Sequence, residues 1–154
     1  MLEVQAFWPA LYTVAKQSVG FAALIRSQLQ RVGPPTLSKP WRLVLYTDEV
    51  DPGGPLSPEH GRKVQACYWS IMEFGAAALS EEDAWFTAFT ARTKKVQLVS
   101  SKTSALVAAV LKHAFCGPHE ADVGGIVLDL AGGTQVRIFI KFELYTGNCV
   151  MLLQ

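Results

Sequence analysis

The chain has 154 residues, 50% of them hydrophobic, with a formal net charge of +1 and a mean hydropathy of +0.22. That suffices for one globular domain with a sizeable core, and a balance this close to neutral gives no global reason to expect nucleic acid or an anionic membrane as a partner. Cys67, Cys116 and Cys149 are odd in number and widely spaced, which excludes a disulfide framework or a Cys-paired zinc site as the organising device.

A reducing compartment is the expectation. The start of the chain has no basic and apolar leader pattern, and no run of about 18 apolar residues occurs, so neither a signal peptide nor a membrane span is predicted. Nuclear or cytoplasmic residence is the consequence.

Residues 4–32 carry Phe7, Leu11, Val14, Phe21, Leu24, Ile25 and Leu29 at helical spacing, with Lys16, Arg26 and Arg31 between them. Pro9 is tolerable near a helix start, and Gly20 is a point at which the helix could divide. The spacing predicts an amphipathic helical segment over 1–33 that packs on the domain C-terminal to it or docks on a partner. Gly33-Pro34-Pro35 and Pro40 bound a predicted linker over 34–40, because prolines remove donors and force extended backbone.

Leu43 to Tyr46 has no helical spacing and reads as a buried strand within Trp41-Arg42-Leu43-Val44-Leu45-Tyr46-Thr47-Asp48-Glu49-Val50. A carboxylate such as Asp48 at the end of a buried strand is held by a rigid ladder yet opens toward loops, which suits a metal ligand or a nucleophile. The competing reading makes Asp48 and Glu49 the start of the turn Asp51-Pro52-Gly53-Gly54-Pro55, since Asp favours turns by bonding its own backbone. Residues 51–62 hold three prolines and three glycines and are predicted to be a loop.

Residues 64–74 alternate as a second strand, with Val64, Ala66, Tyr68, Ser70 and Met72 on one face. Ser80 before Glu81, Glu82 and Asp83 matches a helix N-terminus, and 84–90, aromatic and β-branched, predicts a third strand with a helix as the alternative. Arg92, Lys94 and Lys95 then form a compact basic cluster, read either as a solvated edge or as a phosphate contact. Leu106, Val107, Val110, Leu111, Ala114 and Phe115 predict an amphipathic helix over 104–115, ended by Gly117-Pro118.

His113, Cys116 and His119 have a spacing that invites a metal, but no further Cys/His pair completes the set. Ile126 to Leu130 and Gln135 to Ile140, with Gly132 and Gly133 between, predict a closing hairpin whose second strand runs toward Tyr145 and carries Glu143.

Pro40 to Val50 with Pro52-Gly53, Arg62-Lys63-Val64-Gln65, Tyr68-Trp69-Ser70, Glu73-Phe74-Gly75 and Leu79 to Phe86 resemble an uncharacterised, many-copy family of dinoflagellate proteins, over about 38–140. More remotely, that family is similar to the RNase H-like catalytic core of transposases of the Plavaka and Kyakuja-Dileera-Zisupton kind. The resemblance implies a fold of the α/β (α+β) class: a partial RNase H-like mixed sheet of four to five strands with a packing helix over 41–154, preceded by the N-terminal amphipathic helix.

It implies Asp48 as the first metal-binding carboxylate, Mg²⁺ as the cofactor of an active enzyme, and DNA as the partner, with Arg92, Lys94 and Lys95 as candidate DNA contacts. Two-metal chemistry needs several acids converging from separate strands. Family members continue into an Asp-containing segment, a Lys-Gly-Asp stretch and paired cysteines, where this chain reads Phe142-Glu143-Leu144-Tyr145-Thr146-Gly147-Asn148-Cys149. Glu143 is the weak substitute for the second acid.

The expectation is therefore a truncated, inactive transposase-derived domain with residual DNA binding, or a non-catalytic interaction domain. Self-association through an open sheet edge or the first helix is also expected. Phosphohydrolase chemistry on Asp48 would want a second Asp two residues on, where Val50 stands. No G-x-S-x-G elbow occurs, and no His is placed beside a cysteine.

Overall fold

The computed structural model describes residues 5–51, 63–116 and 121–147. The N-terminal segment forms two helices, α1 (Phe7–Gln17) and α2 (Val19–Val32), and the break falls at Ser18 rather than at Gly20. Ser18 is extended; its N–H closes α1 on the Val14 carbonyl at 2.9 Å, and its Oγ accepts the Phe21 N–H at 3.2 Å to open α2. A serine that ends one helix and caps the next divides the segment more firmly than a glycine can. Pro9 lies in the first turn of α1, where its missing N–H leaves nothing unpaired.

The chain is α+β. Strands β1 (Trp41–Val50), β2 (Val64–Ile71), β3 (Phe86–Arg92) and β6 (Ile140–Gly147) make a mixed sheet ordered β3-β2-β1-β6. Antiparallel pairing joins β1 to β2 and β2 to β3, whereas β6 runs parallel to β1. Strand β1 runs on through Asp48 and Glu49 instead of stopping at them, so neither is a turn residue.

Between β2 and β3 lie a 3₁₀ turn (Met72–Phe74), helix α3 (Ala76–Leu79) and a second 3₁₀ turn (Glu82–Ala84). Ser80 terminates α3, its Oγ donating to the Ala77 carbonyl at 2.7 Å, and does not cap the acidic turn after it. Helices α4 (Thr93–Val96) and α5 (Lys102–Phe115) connect β3 to a hairpin of β4 (Ile126–Leu130) and β5 (Thr134–Ile138).

That hairpin is a separate two-stranded sheet. The sequence predicts one strand running from 135 toward Tyr145, but the ladder breaks at Phe139 and the chain resumes as β6 in the main sheet. The Phe139 carbonyl accepts the Trp41 N–H and the Ile140 N–H donates to Ala121, which diverts the backbone into its new pairing. The hairpin rests on α1: Ala131 N–H donates to the Ala15 carbonyl, and the Tyr12 hydroxyl donates to Asp129 at 2.7 Å.

Alternation along β1 buries Trp41, Leu43, Leu45 and Thr47 on one face. Against it lie α1, α2 and α5: Phe7 stacks on Trp69 at 4.7 Å, Trp69 on Phe86 at 4.5 Å, and the Trp8 indole donates to the Ala114 carbonyl at 2.8 Å. Residues on both sides of the proline-rich stretch share this core cluster. Among the described residues no helix is long and apolar enough to cross a membrane.

Candidate functional site

Asp48 sits near the carboxyl end of β1, an interior strand of the sheet. It lies opposite Ala66 of β2, which faces Thr90 of β3, and belongs to the face turned away from the helices. Its Oδ1 accepts the Glu49 N–H at 2.8 Å. Two residues back on the same face, the Tyr46 phenol is pushed above its ordinary pKa by partial burial and by its hydrogen bond to the Asp48 carboxylate.

Glu49 projects to the opposite face, as strand alternation requires. There its carboxylate accepts from the Thr93 hydroxyl at 2.8 Å and from the Lys63 ammonium at 3.1 Å, and these two partners hold it below its ordinary pKa. The adjacent acids therefore cannot grip one ion together.

Nor does Glu143 join Asp48. The β1–β6 register pairs Leu43 with Phe142 and Val44 with Leu144, leaving Glu143 in the irregularity between them, 4.0 Å from Lys141. Asp48 lies beyond Val44 by a stretch of strand worth about 13 Å. The register therefore sets Glu143 back along the sheet from Asp48.

The basic cluster is placed more favourably. Arg92 pairs with Val64, which pairs with Val50, so Arg92 shares the face and the end of the sheet that carry Asp48, two strands across, or about 10 Å. Lys94 and Lys95 come next, on α4, and all three side chains are exposed. None is engaged in an ion pair among the described residues.

A two-metal site requires several oxygens converging on each ion. Among the described residues no three His, Cys, Asp or Glu side chains converge in that way. Asp48 is, among the described residues, the one strand carboxylate at that end of the open face, and by itself it supplies too few oxygens to hold a Mg²⁺ pair. His113 and Cys116 are exposed at the end of α5, while His119 lies outside the described residues, as does Cys149. Cys67 is buried, and burial pushes its thiol up to about 12, which removes it as a nucleophile at neutral pH. Val50, where phosphohydrolase chemistry would want a second acid, is 45% exposed on the Asp48 face.

Sequence reasoning missed an aromatic groove on the same open face, lined by Tyr46, Tyr68, Leu79, Glu82, Trp85 and Thr87. The outward parity of Tyr46 between buried Leu45 and Thr47 was the signal available; its meeting with Trp85 depends on the chain's long-range course. Comparison with protein-family models, with curated proteins and with solved structures gave no match.

Proposed function

We propose that the chain is a transposase-derived, RNase H-like domain that holds DNA by its phosphates and has lost strand cleavage. The sheet supports the reading: three antiparallel strands, then, after α4, α5 and the β4–β5 hairpin, a strand parallel to the first, with Asp48 near the end of that first strand. The observation that carries it is Arg92 on the Asp48 face with Lys94 and Lys95 just after it, all exposed and none ion-paired among the described residues. Free guanidinium and ammonium groups at one end of a sheet are what phosphate binding needs, since each phosphate neutralised releases counterions.

The test is fluorescence anisotropy with a duplex of about 20 base pairs over about 50–200 mM salt. The parent chain binds with a negative salt slope. Replacing Arg92, Lys94 and Lys95 together by Ala weakens binding and reduces that slope by about 2–3. Absence of binding at low salt, or an unchanged slope in the variant, refutes the reading. A non-catalytic interaction domain is the second reading, favoured by the aromatic groove on the same face.

A further inference from the structure

The sheet face turned away from the helices carries a shaped surface. Tyr46 on β1 and Tyr68 on β2 are cross-strand partners, their rings tilted by 20° with centres 6.4 Å apart. Trp85, just before β3, stands 6.2 Å from Tyr46 at 62°. With Leu79, Glu82 and Thr87 they line a groove of about 690 Å³.

The chemistry of this groove is one-sided. The Trp85 indole N–H is spent on the Leu79 carbonyl at 2.9 Å, so its remaining offer is the π-system. Asp48, two residues along β1 from Tyr46 and on the same face, adds a negative charge beside the groove. Among the described residues Glu82 is the one charged residue that lines the groove, and none of those lining it is Lys or Arg. Ring faces and carboxylates attract cations and repel phosphates. A single nucleic-acid strand would find rings to stack on, but would bring its phosphates past Glu82 and Asp48.

A cation seated above either ring pair lies within about 6 Å of both ring centres, the range of cation–π attraction. Methylation makes an ammonium bulkier and less strongly hydrated, so it sheds water at lower cost and matches the rings and Leu79. The groove is also larger than one such head group and open along the sheet, which suits a side chain carried on a polypeptide. We propose that this groove binds a methylated lysine side chain of a partner polypeptide, with Tyr46, Tyr68 and Trp85 flanking the ammonium and Glu82 as its counter-charge.

The full chain is titrated calorimetrically with a short peptide bearing one trimethyllysine and with the same peptide bearing lysine. The trimethylated peptide binds about tenfold more tightly. Tyr46→Leu and Tyr68→Leu, which keep apolar cover on the sheet, each lower that affinity about tenfold with an unchanged circular dichroism spectrum, and Glu82→Gln lowers it less. Tetramethylammonium chloride competes with the peptide where sodium chloride at the same ionic strength does not.

The Arg92, Lys94 and Lys95 triple variant retains full peptide binding, so this inference and the DNA reading fail separately. Equal affinity for the two peptides, no binding of either, or Leu variants that bind like the parent overturns the proposal. A single-stranded oligonucleotide that displaces the peptide and is itself lost in the Leu variants also overturns it, and gives the groove to nucleobases.

Discussion

Asp48 and Glu49 are neighbours in the chain with opposite employment. Asp48 faces the open side beside Tyr46, whereas Glu49 ties the end of β1 to Lys63 and to Thr93 at the start of α4. The folded pKa of Glu49 lies below its unfolded value, so folding favours the carboxylate; the stability this adds is present above the ordinary carboxylate range of about 4.3 and is lost as pH falls through the folded value. Glu49→Gln should cost about 0.5–1 kcal/mol at neutral pH, the small size reflecting solvent screening, and less in acid. Urea denaturation from about pH 7 to about pH 3 checks this; a difference that stays constant with pH would show that the charge contributes nothing. At this scale the placement of Asp48 near a strand's end and of exposed cations after the third strand was legible, because an apolar run followed by acids and a run of cations are local patterns. Glu143 was not, because the irregularity that strands it opposite Leu43 and Val44 is a property of two strands together.

Elements were read well where a periodic run ended at a residue that forces the ending. Helix α5 and the hairpin strands β4 and β5 came out close to expectation, and Leu106, Val110 and Ala114 face the core as their spacing predicts. The course after Ile138 was illegible: no glycine or proline marks Phe139, and the switch from hairpin to main sheet is made by partners far away in sequence, Trp41 and Ala121.

What aims the hairpin is Gly125, just before β4, with φ +69° and room for a Cβ only at 3.1 Å from the Ile138 carbonyl oxygen and the Arg137 side chain. An L side chain is strained in that conformation, so Gly125→Ala should destabilise the fold by about 1–2 kcal/mol, and by more if the crowded carbonyl cannot move aside. Thermal unfolding reads this directly. An unchanged midpoint would mean that the backbone there relaxes freely and that the hairpin is aimed by its contacts with α1 alone.

At the scale of the molecule, the helices before the proline-rich stretch and the sheet after it meet in one core, and Trp8 is where they meet. Its ring contacts Phe7, Trp69 and Phe115, its indole N–H reaches the last turn of α5, and it is 6% exposed. The sequence left both packing and docking open for this segment, since an amphipathic stripe shows that a face must be covered without showing by what.

Trp8→Ala removes a ring from three elements at once and should cost about 3–5 kcal/mol, a large share of the stability of a domain this size. Because the core is shared, far-UV circular dichroism and tryptophan fluorescence should shift together to lower denaturant as one transition, with Trp8→Phe falling between parent and Ala variant. Were the helical signal lost first while the sheet's own transition stayed at the parent midpoint, α1 and α2 would be an appendage that folds on the sheet. The docking reading of that segment would then regain its force, because a helix pair that detaches cheaply is free to engage something else.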